Sequence, residues 1–298
     1  MAAPRYLDPH VLARLDSMSL LATSIVEGFI LGLHRSPFRG FSVEFAEYRQ
    51  YSPGDEIRHI DWKVFAKTDR YYIKQFEEET NLAATVILDA SASMGYGSNP
   101  KGLTKLQYGA TLAACLTHLM MRQRDAAGLM IFDGKVRTVL PPRLRPAHLK
   151  RIMTELDGIE PGGDTDISAP LHQLAESMTR RGMVVLISDL LDDPAKVLSA
   201  LQHFRFLGHD VLVLQIMDNA ELNFPFQSLT EFTDLETGAK SLVAPEGMRP
   251  VYMKELTDFL HAFERGCAGI KADYKLLDTG RPVDLALSEY LHRRSQRL

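Results

Sequence analysis

From residue 85 onward, short apolar segments alternate with segments of helical periodicity, and this alternation restricts the fold more than any other feature. Continuous, mainly apolar runs of strand length occur at residues 85–88, 183–188 and 210–217. Apolar residues at helical spacing fill four segments, residues 105–122, 146–156, 167–180 and 194–206. Strands buried on both faces and separated by helices predict an α/β fold, with a doubly wound, mostly parallel sheet flanked by helices.

Smaller elements complete this central region. Residues 127–132 and 136–140 are expected to pair as a hairpin, because Asp133-Gly134 between them tolerates the backbone of a tight turn. A second hairpin is expected within residues 232–243, turning at Thr237-Gly238. A helix near residues 253–265, a strand at residues 274–277 and a terminal helix are predicted to follow.

The first 80 residues have a different pattern. Residues 10–33 predict an amphipathic helix, which Gly28, Gly32 and Ser36-Pro37 weaken and end. Residues 41–76 mix aromatic and β-branched residues with charges and predict short strands and loops. We therefore expect two regions: a helical and β-rich N-terminal segment over residues 1–80, and an α/β domain over residues 81–298.

Composition excludes several classes of function. The net charge of -4 argues against a nucleic-acid partner, which usually requires a basic surface. The apolar runs are far shorter than the roughly 20 residues of a membrane-spanning helix, and Asp8 and Asp16 interrupt any secretory leader. Cys115 and Cys267 are too few for a disulfide framework or a zinc site. A cytoplasmic protein without a transmembrane segment is expected.

Polar residues follow two of the predicted strands and form the candidate site. Asp89-Ala90-Ser91-Ala92-Ser93 follows the first strand, and Ser188-Asp189 ends the second. Ligands of open α/β sheets bind at the carboxyl ends of the strands, where these side chains converge. The glycine-rich segment Gly162-Gly163-Asp164-Thr165 could bring a third hydroxyl to the same edge.

These residue types indicate a hard cation. Two carboxylates and three hydroxyls make an all-oxygen donor set, which suits Mg²⁺ or Mn²⁺. Only Asp89 and Asp189 in this set are charged, so a divalent ion would keep water in at least one coordination position. An acidic side chain of another protein could displace that water, and the metal would then bridge the two proteins.

The same five residues resemble the metal-ion-dependent adhesion site of von Willebrand factor A domains. That site has the pattern Asp-x-Ser-x-Ser, followed by a distant Thr and a distant Asp. Asp89, Ser91, Ser93, Thr165 and Asp189 occupy these positions in the same order. The resemblance implies that Ser91, Ser93 and Thr165 bind the metal directly, and that Asp89 and Asp189 act directly or through water.

A second resemblance extends over the whole chain. Residues 45–49, 51–55 and 58–63, which read Phe-Ala-Glu-Tyr-Arg, Tyr-Ser-Pro-Gly-Asp and Arg-His-Ile-Asp-Trp-Lys, are similar to the signature of the bacterial domain-of-unknown-function family numbered fifty-eight. Residues 234–238 and Tyr252 are similar to the tail of that family. The resemblance implies a von Willebrand factor A-like domain and a partnership with a MoxR-type AAA+ ATPase.

Three other interpretations remain at this point. Ser91 and Ser93 are also typical of helix caps, and Asp189 of a strand end. A strand ending in Asp, with the later cluster 188–193, also resembles magnesium-dependent phosphatases of the haloacid-dehalogenase type, although Ser91 stands where their general acid is expected. Finally, the site could be a structural relic that no longer binds metal. We favour a non-enzymatic, metal-dependent protein-interaction module.

Overall fold

The structure is a computed structural model that describes residues 17–34, 48–50, 65, 71–74, 83–163, 166–178, 180–235 and 237–283 of the 298 residues. In chain order, the helices are α1 (Met18–His34), α2 (Lys105–Arg122), α3 (Pro146–Asp157), α4 (Ser168–Ser177), α5 (Pro194–Phe206), α6 (Asn219–Asn223) and α7 (Pro245–Gly269). The strands are β1 (Tyr48–Gln50), β2 (Tyr72–Lys74), β3 (Ala83–Asp89), β4 (Ala126–Phe132), β5 (Val136–Arg143), β6 (Met183–Ser188), β7 (Asp210–Met217), β8 (Thr230–Thr233), β9 (Lys240–Val243) and β10 (Asp273–Asp278). A 3-10 helix, Ala92–Gly95, follows β3.

Six of these strands form a central sheet in the spatial order β10-β7-β6-β3-β4-β5. Neighbouring strands are parallel except at one edge, where β5 runs antiparallel to β4. When these six strands are numbered among themselves along the chain, the order is the doubly wound 3-2-1-4-5-6. The predicted fold class, a doubly wound and mostly parallel α/β sheet flanked by helices, is confirmed.

Helices pack on both faces of this sheet. Along β3, Val86 and Leu88 belong to one hydrophobic core and Ile87 to the other, because successive side chains of a strand point to opposite faces. Helices α1, α2 and α3 contribute to the first core, and α4, α5 and α7 to the second. β3 is therefore covered on both sides, and its last residue, Asp89, is itself fully buried.

Two helices differ from their predicted bounds. Helix α7 begins at Pro245 rather than near residue 253, because proline fits the first helical position, where no N–H is needed. It continues through Pro250 to Gly269, and apolar residues such as Phe263 anchor it in the core. Helix α4 spans only Ser168–Ser177 and not residues 167–180. The short helix α6 was not predicted.

The predicted hairpins are both present. β4 and β5 pair around Asp133-Gly134, and β8 pairs antiparallel with β9. In the N-terminal region, the described part of the predicted helix forms α1, which continues past Gly28 and Gly32 to His34, and β1 pairs antiparallel with β2. The predicted terminal helix lies outside the described residues, and the division at residue 80 stays a prediction.

None of the described helices is both long enough and apolar enough to cross a bilayer. The cytoplasmic location stays a prediction.

Candidate metal centre

The candidate site lies where the winding of the sheet reverses direction. The chain leaves β3 through α2 and returns as β4 on one side, whereas it leaves β6 through α5 and returns as β7 on the other side. β3 and β6 are parallel neighbours, with Leu88 opposite Ile187. Asp89 and Ser188 therefore end adjacent strands at this switch point, which is where doubly wound sheets bind their ligands.

Hydrogen bonds fix the orientation of the Asp89 carboxylate. One oxygen accepts the backbone N–H of Ser91 at 2.8 Å. The other accepts the hydroxyl of Ser188 at 2.6 Å. All three residues are buried. The carboxylate is thus held rigidly between the loop that follows β3 and the end of β6.

Ser91 and Ser93 lie side by side in that loop. Their Oγ atoms are 3.1 Å apart. Ser91 occupies the N-cap position of the 3-10 helix, but its side chain makes no capping hydrogen bond. Met94, fully buried, anchors this turn in the core. The Ser91 hydroxyl therefore contacts the Ser93 hydroxyl and does not cap the helix, in contrast to the interpretation of Ser91 as a helix cap.

Asp189 is the second buried carboxylate. One of its oxygens accepts a hydrogen bond from the Lys105 ammonium at 2.8 Å, with both side chains fully buried. The other accepts the backbone N–H of Leu191 at 3.3 Å. The Gln215 side chain donates to the Asp189 carbonyl oxygen at 2.8 Å. Asp189 is thus held in place from β7 as well as from α2.

Lys105 is a site residue that the sequence analysis missed. Its Nζ atom contacts Glu221 on α6 at 2.7 Å as well as Asp189, and it lies 5.8 Å from the centre of the Tyr96 ring. The available signal was a lysine in the first turn of a helix, where a positive charge opposes the helix dipole. Glu221 gave no such signal, because α6 is short and was not predicted.

Burial and neighbouring charges shift the pKa values of the acidic groups at the site. Burial, together with the negative charge of Asp189, raises the pKa of Asp89 from 3.8 to about 7, even though its hydrogen bonds act in the opposite direction. Burial also raises the pKa of Glu221, despite the attraction of Lys105. For Lys105, burial alone would lower the pKa, but Asp189 and Glu221 raise it. The site therefore holds more buried negative charge than Lys105 neutralises.

The first part of the predicted glycine-rich loop reaches the site. The N–H of Gly162 donates to the carbonyl oxygen of Ala90 at 2.9 Å. Gly163 has a φ of +78°, and a Cβ atom there would come within 2.7 Å of the Asp133 carboxylate. The segment before Thr165 therefore lies against the Asp89–Ser93 loop. Thr165 itself lies outside the described residues, and its role stays a prediction.

The donor atoms present fit a hard divalent cation. Within the described residues, no group of three or more His, Cys, Asp or Glu could hold a metal, so a metal here would need hydroxyl donors. Ser91 and Ser93 supply such donors beside Asp89. Burial and the negative charge of Asp189 raise the pKa of Asp89, and a bound cation would offset both effects. All donors are oxygens, which suits Mg²⁺ or Mn²⁺.

The structure gives no support to the phosphatase interpretation. A nucleophilic aspartate must reach its substrate, but Asp89 is fully buried and both its oxygens accept hydrogen bonds. The residue two positions later, Ser91, contacts another serine and cannot act as a general acid near neutral pH.

Known structures and sequences are similar to this chain over most of its length. The conserved hypothetical protein BatB of Bacteroides thetaiotaomicron is 18% identical, with a TM-score of 0.49, covering 72% of this chain and 98% of that one. The SpRpn10 VWA domain is 12% identical, with a TM-score of 0.40, covering 70% and 95%. At these identities, the likeness concerns the fold alone.

Relatives found by sequence are more similar to this chain than these structures are. An uncharacterized protein of Mycobacterium tuberculosis is 27% identical over 234 residues, which cover 78% of this chain and 73% of that protein. The family described as "Protein of unknown function DUF58" matches residues 47–259, more than two thirds of the 298 residues. This chain therefore belongs to the DUF58 family.

Proposed function

We propose that this protein is a metal-dependent protein-interaction module. Asp89, Ser91, Ser93, Thr165 and Asp189 would hold Mg²⁺ or Mn²⁺, which supplies a positively charged attachment point for an acidic side chain of a partner protein. The observation that carries the proposal is the fully buried Asp89 carboxylate, which lies beside Asp189 and has no cationic partner among the residues that the structure describes. Burying a charge without a partner is costly, and a bound cation would remove that cost.

The arrangement supports binding rather than turnover. Every polar group of the described site is held by another: Asp89 by Ser91 and Ser188, and Asp189 by Lys105 and Leu191. Both carboxylates are fully buried, so neither can reach a substrate to exchange a proton with it. A rigid, pre-oriented set of oxygens is what a cation site requires.

The proposed partner is a MoxR-type AAA+ ATPase or its client. This part of the proposal rests on the resemblance to the DUF58 family, to which the chain belongs. The chain has no Gly-x-x-x-x-Gly-Lys-Ser/Thr phosphate-binding loop of its own, so any ATP hydrolysis would come from the partner.

A native pull-down tests the proposal directly. The tagged chain would be used as bait in lysate of its own host, with Mg²⁺ or with chelator. We expect an AAA+ ATPase, identified by mass spectrometry, to be retained with Mg²⁺ and released by chelator. Ser93→Ala should lose this retention, whereas Ser177→Ala, which removes a hydroxyl at the end of α4 that bonds Leu174, should keep it. Equal recovery with chelator, or no AAA+ protein in repeated experiments, contradicts the proposal.

A further inference from the structure

The buried Lys105 ammonium lies between two acidic side chains, and folding stability alone does not explain why a lysine is buried there. Its side chain has no exposed surface, and it forms ion pairs with Asp189 at 2.8 Å and with Glu221 at 2.7 Å. Asp189 belongs to the proposed metal site, whereas Glu221 lies outside it on α6. The same cation therefore links a proposed metal ligand to a second acid.

Two physical costs oppose a lysine at this position. Moving an ammonium group out of water costs several kcal/mol before its partners compensate. Lys105 is also the first residue of α2, after the N-cap Thr104, where a positive charge opposes the helix dipole. Well-packed apolar residues commonly replace buried ion pairs without loss of stability. A role of Lys105 in the function of the site therefore explains its presence better than a contribution to stability does.

Glu221 gives Lys105 an alternative partner. It is fixed in turn, because its other oxygen accepts the backbone N–H of Asp218 at 2.7 Å in a capping box, and its carbonyl oxygen accepts the Tyr252 hydroxyl at 2.8 Å. If Asp189 turned from Lys105 to a metal ion, the ammonium would still be paired with Glu221. The exchange would leave no buried cation without a partner.

We propose that Lys105 is a built-in counter-ion to Asp189 that competes with the divalent metal and so sets the affinity of the site. This inference rests on the proposed metal-binding function and adds its regulation. In the metal-free protein, Lys105 neutralises Asp189 and keeps the switch point assembled. On metal binding, Glu221 retains the lysine. The site thus stays folded without metal and binds metal weakly enough for reversible capture of a partner.

The test is the metal affinity of Lys105→Met, measured by titration calorimetry with Mg²⁺ and Mn²⁺ and compared with the wild type. Removing a positive charge next to the metal should tighten binding by about tenfold or more, since charges a few ångströms apart interact strongly in a buried site. Lys254→Met, which removes an exposed lysine of α7, gives the same change in net charge and should leave the affinity within about twofold.

Lys105→Met could fail to fold, because it leaves Asp189 and Glu221 buried without their cation. In a second pair of variants, Glu221→Gln and Lys105→Met with Glu221→Gln, only Asp189 is left without a cation when the lysine is removed, and glutamine also serves in a capping box. The double variant should bind metal about tenfold or more tightly than Glu221→Gln alone. Circular dichroism of the metal-free proteins establishes that each is folded before the titration.

The outcomes separate the two proposals. Tighter binding without the lysine supports the inference, including the case in which the wild type binds no measurable metal and the lysine-free variants do. Equal or weaker binding in the lysine-free variants overturns the inference but leaves the metal site in place. Absence of binding in every variant overturns both the inference and the metal dependence of the proposed function.

Discussion

The hydroxyl of Ser188 donates a hydrogen bond to the carboxylate of Asp89 at 2.6 Å and joins the ends of two neighbouring strands. The same Ser188 oxygen accepts the backbone N–H of Leu190 at 2.9 Å, and Leu190 has a left-handed backbone with a φ of 59°. One serine thus orients the central carboxylate and also fixes the turn that carries Asp189 away from β6.

Ser188→Ala should destabilise the metal-free protein. The substitution leaves a buried carboxylate oxygen and the Leu190 N–H without their partner, at a cost of about 1–3 kcal/mol. It should also weaken metal binding, because the Asp89 carboxylate loses its fixed orientation. Urea denaturation measures the first effect and calorimetric titration with Mg²⁺ the second. Ser177→Ala, the matched loss of a hydroxyl outside the site, should leave the metal affinity unchanged; a similar loss of affinity there would contradict the role given to Ser188.

The stability of the metal-free protein should depend on the protonation of Asp89. Its pKa is raised from 3.8 to about 7 in the folded state, so the folded protein binds this proton more tightly than the unfolded chain. The corresponding stabilisation is present at low pH and is lost as the pH rises from 3.8 to about 7. Its size is a few kcal/mol at most.

Asp89→Asn isolates this effect, because asparagine is similar in shape and does not titrate. The free energy of unfolding of the wild type relative to Asp89→Asn should fall between about pH 4 and about pH 7 when metal is absent. Saturating Mg²⁺ should reduce that fall, since the metal takes the place of the proton. A difference between the two proteins that stays constant across this range would show that Asp89 is ionised throughout.

Gly163→Ala should disturb the loop that precedes Thr165. A methyl group there would meet the buried Asp133 carboxylate at 2.7 Å, and the φ of +78° is itself unfavourable for alanine. Together these effects should cost about 2–3 kcal/mol. Gly238→Ala is the control, since its φ of +70° is similar but nothing lies within 4 Å. It should cost only about 1 kcal/mol. Equal melting temperatures for the two variants would contradict the close packing at Gly163.

The purified protein should not hydrolyse phosphate esters. Ser91 stands in the position where a haloacid-dehalogenase-type phosphatase has its general acid, and Asp89 is inaccessible to a substrate. An assay with a generic aryl phosphate and Mg²⁺ should give no turnover above the rate without protein. Sustained phosphate release that disappears in Asp89→Asn would restore the phosphatase interpretation.

The central sheet, and the two strand ends that carry Asp89 and Asp189, were predictable from local sequence patterns. The apolar runs that end in Asp89 and Asp189 identify buried parallel strands, and the carboxyl ends of parallel strands lie at one edge. The bounds of α2, α5, β6 and β7 agreed with the structure for the same reason. The start of α7 was missed, because the predicted helix began only near residue 253, whereas the helix begins at Pro245, continues through Pro250 and buries residues such as Leu256 and Phe263.

The charge partners were not predictable in the same way. Lys105 and Asp189 are 84 positions apart, and Lys105 and Glu221 are 116 apart. No periodicity relates such residues, because only the docking of α2 and α6 against the ends of the strands brings them together. Ser188 was visible as a polar strand end, but its role depends on the parallel register that places it next to Asp89. Pairings of this kind are properties of the tertiary structure.

The metal-binding claim depends most on Thr165, which lies outside the described residues. Thr165→Val replaces the hydroxyl with a methyl group of similar size, so the melting temperature without metal should barely change if the hydroxyl is a metal donor. Thr257 lies on the exposed side of α7, and its hydroxyl donates to the Met253 carbonyl oxygen at 2.7 Å. Thr257→Val is therefore the matched control.

The most direct measurement is therefore the melting temperature of the wild type, Thr165→Val and Thr257→Val across a titration with Mg²⁺. The wild type and Thr257→Val should become more stable, by about 2.7 kcal/mol at a hundredfold excess of metal over Kd. Thr165→Val should show no shift. A wild type that does not respond to Mg²⁺ or Mn²⁺, or a Thr165→Val variant that keeps the full shift, would contradict the five-residue metal site.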